Sequence, residues 1–237
     1  MSDQDASFYE TIADVGPLQG KLELLWRFAE NAGFSDIYYC KLHDPFADAP
    51  YHKSNAVEHR FGDEEWQAIY EAANYGRFDW AIERATWAQT WYRLDQPPTD
   101  LSAKQQEVVD HAREFNRQNG FCFPLVTRAV LNGGFSATGC DRVIDQAQIM
   151  QVVSALQLME FTLNSEHQTK TRAQYDLTER EMQDLRMLAA GYSMTQIAHI
   201  TGKTDQWIRL SFSQVRDKLG VVSNPQLVYR AVKLGLL

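Results

Sequence analysis

The sequence predicts an α+β protein with an N-terminal α-β-α sandwich around an antiparallel sheet and a C-terminal all-α domain of four helices. Two observations carry this prediction. Strand-forming and helix-forming segments alternate as far as residue 163, whereas only amphipathic helical patterns follow from residue 175. With 237 residues, 44% of them hydrophobic, the chain is also long enough to form two compact cores.

The N-terminal elements follow from local patterns. A helix is predicted over Leu18–Ala32, because apolar residues recur on one face and Gly33 ends the pattern. Further helices are predicted at Asp63–Asn74, Phe78–Ala88, Ser102–Gln118 and Asp145–Leu163, and strands at Asp36–Leu42, near Tyr51–Glu58, at Phe121–Val126 and at Gly134–Ala137. The last two strands are expected to be joined by a turn at Asn132–Gly133.

A polar segment without apolar periodicity separates the two halves. It covers residues 164–174 and contains mostly Asn, Ser, Gln, Thr and charged side chains. We therefore predict domains at 1–163 and 175–237, connected by this segment as a linker.

The C-terminal helices are marked by their caps. Thr178 and Ser193 are each followed three residues later by Glu or Gln, which is a capping box, and Thr204 can cap a third helix. A fourth helix is expected to begin at Asn224-Pro225, with the asparagine as its cap. The short connection at Gly202 favours a helix-turn-helix over a plain bundle.

Charge divides the chain at the same place. Residues 171–237 contain nine Lys and Arg against six Asp and Glu, whereas the remainder contains 14 against 25. A basic C-terminal module on an acidic protein is typical of a regulator that faces nucleic-acid phosphates, although a net charge of +3 is a small footprint.

Several classes of protein are disfavoured by the sequence. It contains no apolar run of roughly 18 residues, no signal peptide, no phosphate-binding loop and no metal-ligand spacing of histidines. Cys40, Cys122 and Cys140 are odd in number and form no CxxC pair, which favours reduced thiols in a cytoplasmic protein. We therefore expect neither an enzyme nor a metal or other cofactor, and no membrane partner.

Aromatic residues crowd into the segment 66–92, among them Trp66, Tyr70, Phe78, Trp80, Trp87, Trp91 and Tyr92. They could form a core or the wall of a small-molecule cavity. Asp79 lies among them and needs a hydrogen-bond donor if it is buried. A ligand amide, Arg77 or Arg84 could each supply that donor.

With these residues and the capped C-terminal helices, the chain resembles the LuxR-type quorum-sensing regulators over nearly its full length. In that family an N-terminal domain binds an acyl-homoserine lactone, and a dimer binds a palindromic promoter element in double-stranded DNA through C-terminal helix-turn-helix domains. The resemblance is carried by Glu181, Leu185 and Gly191 in the C-terminal domain, and by Trp66, Tyr70, Asp79, Trp91 and Gly120 in the N-terminal one.

The resemblance implies a role for each N-terminal position. Trp66 would donate to the lactone carbonyl, and Asp79 would accept from the ligand amide N–H. Tyr70 and Trp91 would line the site, and Gly120 would precede a strand of the sheet. Two departures from the family pattern stand beside these matches: Gly62 replaces a tyrosine and Trp80 replaces a proline.

The resemblance also implies a DNA-binding surface. Arg209 would bind guanine, Gln206 adenine, and Ser213 a base or a phosphate. Phosphate contacts would come from Ser193, Thr195, Lys203, Thr204 and Arg216. Ser211 and Ser213 stand where relatives often carry basic residues.

Three functional readings remain open. The first is a homodimeric regulator controlled by an acyl-homoserine lactone, with dimer contacts from the long helix before the linker and from Leu227, Ala231 and Leu234 in the last helix. The second is an orphan regulator that needs no ligand or binds a different one. The third is an antagonist that forms heterodimers with a related regulator.

Overall fold

The structure is a computed structural model that describes residues 8–41, 57–85, 87–127 and 130–237. The chain forms two compact units, Met1–Thr162 and Leu163–Leu237. Both the antiparallel sheet of the first unit and the helical character of the second confirm the predicted α+β class.

The elements are numbered here in chain order. The helices are α1 (Leu18–Asn31), α2 (Glu64–Ala72), α3 (Trp80–Ala85), α4 (Ala103–Glu114), α5 (Gln146–Gln174), α6 (Glu179–Ala189), α7 (Met194–Thr201), α8 (Asp205–Leu219) and α9 (Asn224–Lys233). The strands are β1 (Asp36–Lys41), β2 (Val57–Phe61), β3 (Tyr92–Arg93), β4 (Phe121–Thr127) and β5 (Val130–Thr138). A 3₁₀ turn covers Tyr75–Arg77.

The sheet is antiparallel throughout, with strand order β2-β1-β5-β4-β3. Side chains alternate between its two faces, as the pleat requires. Tyr39 is buried and donates to Glu160 of α5 over 2.5 Å. Its neighbours Tyr38 and Cys40 line a cavity instead. The sheet thus buries one face in a core and presents the other to a cavity.

The predicted turn at Asn132–Gly133 is wrong, because both residues lie inside β5. Gly133 pairs with Leu125 of β4 and with Lys41 of β1. Glycine within a strand often marks a close approach of neighbouring atoms. A Cβ atom on Gly134 would lie 3.2 Å from the Cβ of Ala85. The glycines therefore make room in the sheet and do not form the turn.

The segment 164–174 is helical and continues α5 to Gln174, so the expectation of a non-helical linker is wrong. Its polar side chains misled the prediction because they make hydrogen bonds to the end of the chain. Gln168 donates to the carbonyl of Leu236 over 2.8 Å, and Nε2 of His167 lies 3.0 Å from the carbonyl of Leu234.

Two other boundaries differ from the prediction. The helix expected at Phe78–Ala88 is limited to Trp80–Ala85. Of the strand expected near Tyr51–Glu58, residues 51–56 lie outside the described ranges, and β2 covers Val57–Phe61.

The caps of the second unit follow the sequence closely. Thr178 and Ser193 form the predicted capping boxes, and Thr204 accepts from the backbone of Trp207. The fourth helix differs, since Ser223 and not Asn224 is its cap. Ser223 forms a further capping box with Gln226. The backbone N–H of Gln226 donates to the Ser223 hydroxyl, and the backbone N–H of Ser223 donates to the Gln226 side chain.

The apolar face of α9 packs into the core of the second unit. Leu227 and Ala231 are fully buried in it, and Leu234 packs against it. The prediction of dimer contacts is therefore wrong for Leu227 and Ala231, because the unit buries both against its own helices, whereas Leu234 is half-buried at the edge of the same core. Across the described ranges, no helix is both long and apolar enough to span a lipid bilayer.

Gly120 generates a stability prediction. A Cβ atom there would overlap the carbonyl oxygen of Ala137 and lie 2.8 Å from Cα of Thr138, and both atoms belong to the backbone. We expect Gly120→Ala to lower the free energy of unfolding by about 1–3 kcal/mol. Urea unfolding followed by tryptophan fluorescence would measure the change.

The matched control is Gly16→Ala, because a Cβ atom at Gly16 meets nothing within 4 Å. This variant should be unchanged or more stable by up to about 1 kcal/mol, since alanine restricts the unfolded chain. Equal stability of the two variants would contradict the backbone overlap at Gly120.

Candidate functional site

A cavity between the sheet and the helices of the first unit is the main candidate site. Its volume is about 160 Å³, counted as the space that the centre of a water molecule can occupy. The sheet contributes Tyr38, Cys40, Cys122, Gly133, Gly134 and Ser136, and the helices contribute Trp66, Tyr70, Trp80, Ile82, Ala85, Val109 and Ala112. The lining is mostly apolar with a few polar groups, as small-molecule sites generally are.

Asp79 is the central polar group of the cavity. It precedes α3, where Oδ1 accepts from the backbone N–H of Ala81 over 2.8 Å. Oδ2 accepts from the Tyr70 hydroxyl over 2.7 Å. The arginines considered from the sequence do not fill this role: Arg77 is exposed, and Arg84 lies over the ring of Tyr92 with 4.6 Å to its centroid.

The protonation of this pair is set mainly by burial. Burial raises the pKa of Asp79, and hydrogen bonds from Tyr70 and Ala81 oppose that rise. Burial and the nearby carboxylate raise the pKa of Tyr70 well above its ordinary value. Tyr70 therefore keeps its proton at neutral pH and acts as the donor to Asp79.

Trp66 lies beside this pair on α2. Its ring centroid is 5.5 Å from that of Tyr70 at an interplanar angle of 65°, and 5.5 Å from that of Phe115. Asp63 caps α2 by accepting from the backbone N–H of Trp66 over 3.2 Å. The cap and the ring contacts fix the direction in which the indole meets the cavity.

An ion cluster occupies the place where the family pattern has a tyrosine. Gly62 has φ of +120°, and a Cβ atom on it would overlap the carboxylate of Asp36. Asp36 in turn accepts from the backbone N–H of Asp63 over 2.6 Å. Arg117 pairs with both carboxylates, at 3.1 Å to Asp63. Gly62 is therefore required by this cluster, and Asp36 and Arg117 both line the cavity.

Trp80, the other departure from the family pattern, packs into the structure without filling the cavity. Its side chain is buried with Ala85, Tyr92 and Val109, and its ring centroid lies 5.9 Å from that of Tyr92. It forms part of the cavity wall. The aromatic segment thus serves both as core and as cavity wall, while Trp87 is exposed.

The cavity brings together Trp66, Tyr70 and Asp79, but not the other two candidate positions. Trp91 is half-buried before β3 and is not among the residues that line the described cavity. Gly120 is also absent from the lining, and its backbone packs against that of Ala137.

Sequence reasoning missed several wall residues, above all Arg60. Its guanidinium lies 5.0 Å from the ring centroid of Tyr38 and 5.2 Å from that of Tyr70, and it pairs with Glu71 at 3.0 Å. The alternation of side chains along β1 and β2 could have indicated which of their residues face the cavity. The sequence holds no signal for which helix covers that face of the sheet.

The second candidate site is the exposed surface of α7 and α8. Six of the predicted DNA contacts are exposed: Ser193, Thr195, Lys203, Thr204, Gln206 and Arg209. Ser213 and Arg216 are half-buried, and Arg216 donates to Asn224 over 2.8 Å. Ser211 is buried, so it cannot stand in for the basic residue of relatives. The surface therefore holds fewer long polar side chains than the family pattern implies.

Asp79 generates a prediction on pH. Its folded-state pKa lies above the ordinary value of 3.8, so its contribution to stability is present below 3.8 and is lost as pH rises through the folded pKa. Asp79→Asn removes this loss. We expect the stability of Asp79→Asn relative to the parent chain to increase between pH 4 and pH 7 in urea unfolding.

Glu181→Gln should show the opposite trend. Burial opposes the ionised form, but hydrogen bonds from Thr178 and Lys218 outweigh it and hold the pKa of Glu181 below its usual value. The parent chain should therefore gain stability relative to this variant as pH rises to 7. Parallel trends for the two variants would contradict the assignment at Asp79.

Comparison with known proteins places both units. The sequence model described as "Autoinducer binding domain" matches residues 20–166, and that described as "Bacterial regulatory proteins, luxR family" matches residues 176–231. The transcriptional activator protein TraR of Rhizobium radiobacter is 24% identical over 180 residues, which cover 73% of this chain and 76% of TraR.

Solved structures show the same fold. Escherichia coli SdiA superposes with a TM-score of 0.54 at 18% identity, covering 98% of this chain and 97% of SdiA, and SdiA in complex with octanoyl-rac-glycerol superposes equally well at 17% identity, covering 98% and 96%. CepR2 of Burkholderia cenocepacia, an N-acylhomoserine lactone dependent LuxR-family factor, gives 0.50 at 14%, covering 68% of this chain and 92% of CepR2.

These matches cover both the unit that holds the cavity and the unit that carries the helix-turn-helix. Proteins of this family regulate transcription and are not enzymes, which confirms the expectation from the sequence. The chain therefore belongs to the LuxR family, as a quorum-sensing transcription regulator with an autoinducer-binding domain and a DNA-binding domain.

Proposed function

We propose that the protein is a homodimeric cytoplasmic regulator in which an acyl-homoserine lactone, bound in the N-terminal cavity, controls binding to a palindromic promoter element. Ligand binding is assigned to 1–163, DNA binding to 175–237, and the connection to 164–174. The observation that carries the proposal is the placement of Trp66, Tyr70 and Asp79 on one largely apolar cavity.

The polar trio suits the head group of such a ligand. Asp79 faces the cavity with a carboxylate that can accept the amide N–H, a bond to a charged group worth about 1.5–3 kcal/mol. The indole N–H of Trp66 is the donor for the lactone carbonyl. Tyr70 holds Asp79 in place through its hydroxyl. Trp91 and Gly120 lie outside the described lining, directly before β3 and β4.

The acyl chain would lie against the sheet. Cys40, Cys122 and Gly134 line that wall and offer apolar surface. Burial of an eight-carbon tail contributes roughly 5–6 kcal/mol at ~0.8 kcal/mol per CH₂, which exceeds any single polar contact. The tail therefore dominates affinity, and the polar trio sets orientation.

An exposed stripe on α5 supports the homodimer. Met150 and Phe161 are 42% and 70% exposed and lie eleven residues apart, which places them on one face three turns from each other. Ser154 and Gln157 lie between them and are also exposed. A second copy of α5 packed against this stripe would remove Met150 and Phe161 from water.

A monoacylglycerol is the alternative ligand. SdiA, which shares the fold, is known in complex with octanoyl-rac-glycerol. Such a molecule has the same linear tail but presents hydroxyl donors in place of an amide N–H. Asp79 can accept from either donor, so the ligand panel must contain both.

Mass spectrometry of extracts from the purified protein would identify the ligand. After expression with a panel of acyl-homoserine lactones and octanoylglycerol, we expect one lactone to be retained at about one per chain. Asp79→Ala should lose it, because the amide N–H loses its acceptor. Trp87→Ala is the control, since Trp87 is exposed and is not among the residues that line the described cavity. A folded protein that retains only the acylglycerol, or nothing, would contradict the lactone.

Bound ligand should also stabilise the protein. At a free concentration a hundred times its dissociation constant, the ligand adds about 2.7 kcal/mol to the free energy of unfolding. This increase raises the folded fraction of the regulator and so couples ligand concentration to promoter occupancy.

Arg209 generates the prediction for DNA. It is exposed on α8, and a bidentate contact to guanine is worth about 1–3 kcal/mol. We expect Arg209→Ala to weaken promoter binding roughly 5- to 150-fold and to relax the preference for guanine at one position of each half-site. Fluorescence anisotropy with labelled duplexes would measure both effects.

Arg186→Ala is the charge-matched control. Arg186 is exposed on α6, so its loss removes the same charge from the same unit. It should leave the base preference unchanged. Equal loss of preference in both variants would count against a base contact by Arg209.

A further inference from the structure

The exposed face of α8 has an apolar centre. Ile208, Phe212 and Val215 are buried in the core of the second unit. Leu210 lies on the opposite side of the helix and is 59% exposed. Trp207, one turn earlier, is 39% exposed. Neither Leu210 nor Trp207 belongs to the apolar core of this unit.

Trp207 is held in a defined position at the start of the helix. Its backbone N–H donates to the Thr204 hydroxyl over 3.2 Å. The guanidinium of Arg180 lies 4.7 Å from the ring centroid, and the ammonium of Lys203 lies 5.6 Å from it. Cation–π contacts of this kind orient the ring without burying it.

The flanking side chains define what this face can contact. Gln206 lies one turn before Leu210 and Arg209 directly precedes it, and both are exposed, so hydrogen-bonding groups border the apolar centre on one side. Ser213, in the next turn, is short and half-buried. An isolated leucine in this position adds nothing to a phosphate contact, because it offers no donor.

The occupant of this face follows from its place in the fold. The chain carries a LuxR-family DNA-binding domain, and α8 is the second helix of its helix-turn-helix. In such domains the second helix enters the major groove. The apolar group that base edges present there is the 5-methyl group of thymine.

We propose that Leu210, assisted by Trp207, recognises thymine in each half-site through its 5-methyl group. Arg209 supplies the neighbouring hydrogen-bonded contact. The operator would therefore pair a guanine position with an adjacent thymine position in each half-site. This inference rests on the DNA-binding function of the second unit.

The test begins with selection of bound sequences from random duplexes by the full-length chain, with and without N-octanoyl-homoserine lactone. Each conserved thymine of the selected duplex is then replaced by deoxyuridine, which keeps base pairing and removes only the methyl group. We expect one such replacement per half-site to weaken binding roughly fourfold. Replacement at the other positions should have little effect.

Protein variants assign the effect to α8. Leu210→Ser should bind the thymine and deoxyuridine duplexes equally. Trp207→Ser should reduce the difference between them. Tyr229→Ser is the control, because Tyr229 is exposed on α9, and it should keep the full difference. Circular dichroism would verify that each variant is folded.

The outcomes separate the two proposals. Failure to select any duplex would contradict DNA control and, with it, this inference. Selection of a duplex that binds equally well with deoxyuridine would overturn the thymine contact alone. A thymine preference that persists in Leu210→Ser would overturn it as well.

Discussion

The ion cluster of Asp36, Asp63 and Arg117 is the constraint on which the ligand-binding unit depends. Asp36 begins β1, Asp63 caps α2, and Arg117 follows α4, so one largely buried arginine joins the sheet to two helices. Burial lowers the pKa of Arg117, although its two carboxylate partners keep it charged. Loss of Arg117 would leave the two carboxylates without a counter-charge and weaken the connection between β1 and the start of α2.

The cavity depends on that anchor through one helix. Once the first turn of α2 is fixed, Trp66 and Tyr70 lie on successive turns of the same face. Tyr70 then fixes Asp79 through a 2.7 Å hydrogen bond. The order of dependence therefore runs from the ion cluster to the aromatic wall and from there to the carboxylate. The DNA-binding unit is built differently, because its helices are positioned by local caps and one apolar core.

This contrast explains how much could be predicted from the sequence. The caps at Thr178, Ser193 and Thr204 act within four residues, so their pattern is visible in the chain. The trio of Trp66, Tyr70 and Asp79 was predicted from the resemblance to the LuxR-type regulators, because the aromatic pattern alone left both a core and a cavity wall open. Gly133 and the polar end of α5 were misassigned, because their environment is formed by residues distant in sequence. For the same reason the pairing of Gly62 with Asp36, 26 positions earlier in the chain, left no local signal.

Gly134 of β5 has a consequence for how such a regulator evolves. A glycine codon becomes an alanine codon by a single nucleotide change, and a methyl group added at Gly134 would occupy space beside the cavity. At Gly134 the new carbon would lie 3.2 Å from Ala85, a contact that a small shift of α3 can accommodate. The length of signal molecule that a cell detects could thus drift between lineages while Asp79 and its partners stay the same. Regulators of bacteria that share a habitat could then respond to signals of different tail length while recognising the same polar head group.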